Sequence, residues 1–215
     1  MSHHKTLSSI AFALMAFSMA NAYAAPPVAE LKVKGQLVVP VCTVAASDDG
    51  VYDFGKQSAT LVKPNAYTNL TPMVKTWTVT CDAETYLNLT PTDNRADSTS
   101  AVANANFGLG KVNTDGKIGY YTATMSKATV DNASTSLFST RNNVIASADV
   151  AATTAIATGG RSGWAASSTT QKSGKVFSAD ITVQPYLASS AIMQGPITDD
   201  TNLDGSLTLS FAYGI

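Results

Sequence analysis

Histidine is almost missing from this chain: the only two, His3 and His4, fall within the first five residues. Any removal of the leader leaves none. That takes away the commonest general base, the Ser-His-Asp and Cys-His arrangements, and the usual zinc donors. Charge is scarce too, with only 13% charged residues and 14 Lys and Arg set against 15 Asp and Glu. No basic stretch is present that would bind nucleic acid. The acidic residues stand singly or as the pairs Asp48-Asp49 and Asp199-Asp200, which gives no constellation for carboxylate chemistry. The sequence is therefore read as a non-enzyme, with no catalytic residue, cofactor or metal site assigned. Helical patterning is also absent after the leader, because Thr and Ser interrupt every apolar stripe.

The start of the chain reads as an export signal. Lys5 precedes an apolar run from Leu7 to Met19, followed by the small-residue steps Ala20-Asn21-Ala22 and Ala22-Tyr23-Ala24. This is a positive n-region, a short h-region and an A-x-A site. The run is too short to span a bilayer, which needs about 20 residues. We expect a signal peptide over 1–24, an N-terminal extension over 25–37 and one β-domain over 38–215, exported to the periplasm or cell surface with no integral membrane segment. In an oxidising compartment the two cysteines, Cys42 and Cys81, are expected to pair.

What the chain does contain is period-two alternation. Ala29, Leu31, Val33, Gly35 and Leu37 alternate with Glu30, Lys32, Lys34 and Gln36, a strand pattern with one apolar and one charged face. Val38, Val39, Val41 and Val44 continue as a buried-looking run. Val51–Phe54 reads as a short strand, Trp77–Cys81 as a strong one and Tyr86–Thr90 as another. Asn113-Thr114-Asp115-Gly116 marks a turn between two strands. Phe177, Ala179, Ile181 and Val183 alternate, as do Leu207, Leu209, Phe211 and Tyr213 in the C-terminal strand. Many short alternating segments with turns between them predict an antiparallel β-sandwich, with jelly roll and small barrel as competitors.

Three motifs have ordinary readings. Asp200-Thr201-Asn202-Leu203-Asp204-Gly205 opens like a calcium loop, but its twelfth position is Phe211 rather than Glu. An Asp-Gly turn leading into the last strand accounts for the same residues. Trp77 is read as a core residue near the disulfide. Trp164, in a Gly/Ser-rich stretch, and Tyr120-Tyr121 are the candidate exposed rings of an alternative function, a monomeric carbohydrate- or surface-binding module.

The run Val33-Lys34-Gly35 followed by Gln36-Leu37-Val38-Val39-Pro40-Val41-Cys42 resembles the opening of chaperone–usher fimbrial subunits. Tyr52-Asp53-Phe54-Gly55 is similar to their next short strand, and Trp77-Thr78-Val79-Thr80-Cys81 to their second cysteine strand. The chain also resembles an uncharacterised family of exported fimbrial-like proteins known only as a domain of unknown function. The resemblance implies an immunoglobulin-like sandwich lacking its last strand. It also implies donor-strand exchange between subunits, and a periplasmic chaperone, an outer-membrane usher and sister subunits as partners. Ala29, Leu31, Val33 and Gly35 would be the donor positions. Read from alternation alone, 29–37 is equally an internal first strand of a complete domain. The resemblance is weaker at the C-terminus, where Tyr213 stands one place before the penultimate position in which pilins carry a tyrosine.

Overall fold

The computed structural model describes residues 27–142 and 144–214; the signal peptide expected over 1–24 lies outside them. The chain divides into two compact units at Leu37/Val38. In the first, residues 27–37 form no strand or helix, and Leu31 and Val33 are 86% and 88% exposed.

The second unit is all β. β1 (Cys42–Ala46) is followed by the short β2 (Thr68–Asn69) and the 21-residue β3 (Met73–Asp93). β4 (Phe107–Gly108), β5 (Lys111–Val112) and β6 (Gly116–Lys117) lead into β7 (Gly119–Val130). Next come β8 (Ala133–Ser134), β9 (Ser136–Thr140), β10 (Val150–Ala151), β11 (Thr154–Ala155) and β12 (Arg161–Ala165). β13 (Ser173–Leu187) and β14 (Leu207–Tyr213) complete the set.

All ladders between these strands are antiparallel, and β3 belongs to two layers. Its first half pairs with β13 on one side and β1 on the other, and β13 continues to β7 and β11. Its second half pairs with β12 and β14, and β12 continues to β9 and β10. The result is one large antiparallel sheet folded through β3 into a sandwich, the fold class that the alternation predicts. The core lies between the layers and includes Val79, Leu87, Leu89, Phe107, Met125, Leu137, Trp164 and Phe177. Alternation is strictest on β13, where Phe177, Ala179, Ile181 and Val183 point inward and Ser178, Asp180 and Thr182 outward.

Cys42 and Cys81 are bonded. They stand directly opposite one another in the β1–β3 ladder, with Cα atoms 4.0 Å apart. The bridge therefore ties neighbouring strands of one layer.

Four expectations need correction. The valine run is not buried: Val38, Val39, Val41 and Val44 are exposed, because β1 is an edge strand paired with β3 alone and the residues before it join no sheet. Val51–Phe54 forms no strand, since its backbone has no ladder partner. Trp77–Cys81 and Tyr86–Thr90 are not separate strands but parts of β3. Trp164 is 2% exposed; its indole N–H donates to the Ser178 carbonyl at 3.0 Å and its ring packs 5.2 Å from that of Phe177.

Candidate functional site

Two adjoining cavities of about 400 and 680 Å³ form a groove along one side of the sandwich, sharing Val51, Tyr52, Phe54 and Leu203 in their walls. One wall is the segment 50–59. The other is the loop 197–206 continuing into β14 through Leu207 and Leu209. The floor comes from inward residues of the first layer, notably Trp77, Tyr121, Ile181 and Val183.

The first wall is held by local chemistry rather than by sheet pairing. After β1 the chain turns through Asp48 and Asp49, both left-handed with φ of 49° and 50°, a conformation that short polar side chains tolerate. Gly50 follows at φ 79°, where a Cβ would also lie 2.8 Å from the Trp77 ring. Both the angle and the contact require glycine. Lys75 is only 8% exposed, and its ammonium is ion-paired with Asp48 and lies 5.7 Å from the centre of the Tyr52 ring. From Val51 onward the residues alternate: Tyr52 and Phe54 are half-buried against the core, and Val51 and Asp53 face solvent. The Trp77 indole N–H donates to the Tyr52 hydroxyl at 3.0 Å, which in turn donates to the Ile181 carbonyl at 2.9 Å. Burial raises the Tyr52 pKa, with the Trp77 bond opposing. The strand periodicity of this wall is thus present without a ladder. Its backbone bonds are local, such as Val51 N–H to Asp48 O at 2.9 Å and Gly55 N–H to the Asp53 carboxylate at 2.8 Å.

The second wall is braced from behind. Arg95 donates to the Asp204 carboxylate through Nε at 2.9 Å and Nη2 at 2.8 Å, and the Asp204 amide donates to Leu109 O at 2.9 Å. One of the three residues that would be side-chain ligands in the calcium-like motif, Asp204, is therefore engaged by a guanidinium. A Cβ at Gly205 would lie 2.7 Å from the Tyr121 ring, so glycine lets the chain pass close over the floor. Burial drives the Tyr121 phenol strongly upward in pKa.

β14 then pairs with β3 in register from Leu207↔Asp93 to Tyr213↔Leu87. Its end is fixed by Gly214 N–H to Tyr86 O at 3.0 Å and by the buried Asn88 amide donating to Gly214 O. Among the described residues β14 has no ladder on its other edge. Leu207, Leu209 and Phe211 pack against the core yet stay half-exposed, and Tyr213 is exposed.

The structure brings together Leu207 and Leu209, named from sequence, with Trp77, Tyr52, Phe54, Leu203 and Gly205, which sequence reasoning did not assign to a site. The Tyr52-Asp53-Phe54-Gly55 alternation was the available signal for one wall. The Asp204-Gly205 turn read before the last strand was the signal for the other, though nothing in it pointed to a groove. Trp77 pairs with Ala46, at the opposite end of β1 from the bridge, and lines the groove instead of packing on the disulfide. The candidate donor positions Ala29, Leu31, Val33 and Gly35 belong to the separate first unit, where a Cβ on Gly35 would meet nothing within 4 Å. Of the rings proposed for ligand binding, Trp164 and Tyr121 are core. Tyr120 stays half-exposed, stacked on Tyr186 at 4.7 Å with Tyr67 edge-on at 5.5 Å.

A family model described as Protein of unknown function (DUF1120) matches residues 31–144. No curated protein matches the chain.

Proposed function

The chain belongs to the family described as Protein of unknown function (DUF1120), and from that premise we propose that it is a non-enzymatic structural subunit of a fimbrial-type surface assembly. It is exported, held in the periplasm by a chaperone, passed to an outer-membrane usher and joined to sister subunits by donor-strand exchange. The observation that carries this reading is the open groove beside β14, where half-exposed Leu207 and Leu209 line the cavity next to a sheet edge that has no ladder among the described residues. A bare edge beside an uncovered apolar row recruits an extended strand through backbone hydrogen bonds and side-chain pockets. Residues 29–37 have the matching form: apolar or small side chains at every second position, outside any strand, with Leu31 and Val33 exposed.

The test is the oligomeric state of the purified exported protein and of its Leu31→Asp and Val33→Asp variants. A carboxylate placed in an apolar groove costs several kcal/mol, roughly 2–7 for an unpaired polar group and more for a charge. Higher-order species should disappear while the folded monomer survives. A Gly35 change to a large residue should block assembly by steric exclusion. If the Asp variants instead unfold the monomer and the wild type forms no oligomer, residues 29–37 are an internal strand and the reading fails. The alternative, a monomeric carbohydrate- or surface-binding module, loses Trp164 and Tyr121 to the core and rests on the half-exposed Tyr120–Tyr186 pair alone.

A further inference from the structure

The groove is not electrically uniform. The lining at its β14 end, around Trp77, Leu207 and Leu209, holds no charged side chain. At the other end Asp53, Asp199 and Asp200 face Lys56 alone, three negative charges against one positive, a net of −2. The ion pairs formed by the described residues leave these three carboxylates without a lysine or arginine partner. Asp53 accepts the Gly55 amide and Asp199 the Thr198 hydroxyl at 3.2 Å, neither of them a cation. Because Tyr52 and Phe54 turn inward, Asp53 lies on the solvent side of its wall.

The segment 29–37 has the opposite balance. Its polar positions are Glu30, Lys32, Lys34 and Gln36, two positive charges against one negative. Glu30 and Lys32 pair at 3.2 Å on an exposed surface, and Lys34 has no ion-pair partner among the described residues. A strand laid in the groove with its apolar positions inward presents these polar positions on the face that carries Asp53.

We propose that Asp53, Asp199 and Asp200 select the strand that enters the groove by charge, and that the strand they favour is residues 29–37 of a second copy of this chain, through Lys32 and Lys34. This rests on the assembly reading above and specifies its partner. Charges on an exposed rim act mainly on encounter: they speed association with a complementary strand and slow it with a like-charged one, and salt screens both effects. The apolar end of the groove then sets how long the strand stays, without regard to salt.

The experiment measures the association rate of a fluorescent peptide of residues 27–39 with the full mature chain. Ionic strengths of roughly 0.01 M and 1 M are used, where the screening length is about 30 Å and 3 Å. The wild-type rate should fall by about tenfold or more between the two. The Asp53→Asn/Asp199→Asn/Asp200→Asn variant, with its melting temperature unchanged, should bind at the slow rate in both. A Lys32→Glu/Lys34→Glu peptide should bind slowly at low salt and recover when the three aspartates are replaced by lysine. A rate that ignores salt, or a triple variant that keeps the wild-type salt dependence, overturns charge selection and leaves the assembly reading standing. No binding at either ionic strength overturns the assembly reading itself, and this inference with it.

Discussion

Along β13 the inward side chains Phe177, Ala179, Ile181 and Val183 are all buried, whereas along β14 the corresponding Leu207, Leu209 and Phe211 are only half covered. The two strands carry the same alternating pattern, so the difference comes from their neighbours. β13 has β3 on one edge and β7 on the other, with the second layer over its inner face. Among the described residues β14 has β3 on one edge only, and its inner face borders the groove. Alternation states which face of a strand turns inward; whether that face is covered depends on residues far away in sequence. On the proposed reading, an inward row left uncovered at a free edge is where a partner strand would supply the missing cover.

The largest expected effect contrasts the two strands directly. Phe177→Ala removes a ring that is 0% exposed and should cost about 3–5 kcal/mol of unfolding free energy in urea titrations. Phe211→Ala should cost less than about 2 kcal/mol, because a half-exposed ring has given up only part of its transfer free energy. With a saturating peptide of residues 27–39 the cost of Leu209→Ala, at a side chain that lines the groove, should rise and that of Phe177→Ala should not. Equal costs in the free chain would mean that β14 is as well covered as β13.

Next in size is the bridge, which pins edge strand β1 to β3. Replacing Cys42 and Cys81, 39 residues apart, by serine should cost about 3–4 kcal/mol by the chain-entropy estimate. Thiol labelling of the denatured, unreduced protein should find no free thiol, and two labelled cysteines would contradict the bond.

Tyr52→Phe is a smaller change on the groove wall. It leaves the Trp77 indole N–H and the Ile181 carbonyl without their partner and should cost about 1–3 kcal/mol. It should also alter the near-ultraviolet dichroism of Trp77. An unchanged spectrum and stability would show that the wall does not depend on this link.

The smallest effect comes from acid. The Asp131 carboxyl is held below the usual carboxylate range by the Val176 and Lys175 amides, and the Asp180 carboxyl by the Thr76 hydroxyl and then Lys127. A carboxyl lowered in the folded state binds fewer protons there than when unfolded. It therefore stabilises above its unfolded value and loses that contribution as pH falls through the folded one. Both groups brace the β7–β13 layer. Melting temperature should thus decline below about pH 4, and Asp131→Asn should flatten the decline. A decline unchanged by that substitution would place the acid sensitivity elsewhere.

Alternation made the long strands legible, though it also marked 29–37 and Val51–Phe54, which have no ladder. Trp77–Cys81, Phe177–Val183 and Leu207–Tyr213 are strands because one face meets the core and the other meets water. Continuous apolar runs were misleading: Val38–Val44 looks buried, but β1 is an edge with no layer outside it. Composition misled at Trp164, whose Gly/Ser-rich surroundings suggest a loop although Gly163 lets the strand pass so close to Phe138 that an added Cβ would sit 2.7 Å from its ring. The groove was only half legible. Leu207 and Leu209 were visible in sequence, but the contacts that set the walls, Arg95 to Asp204 and Lys75 to Asp48, span 109 and 27 residues.

The most direct test of the account is amide hydrogen exchange along β13 and β14, with and without the peptide of residues 27–39. The free chain should show strong protection along β13 and fast exchange at those amides of β14 that do not face β3, since that edge has no ladder among the described residues. Adding the peptide should slow these β14 amides and leave β13 unchanged. If β14 is as protected as β13 in the free chain, or if the peptide leaves its amides untouched, the edge is not open and the account of an incomplete sandwich fails.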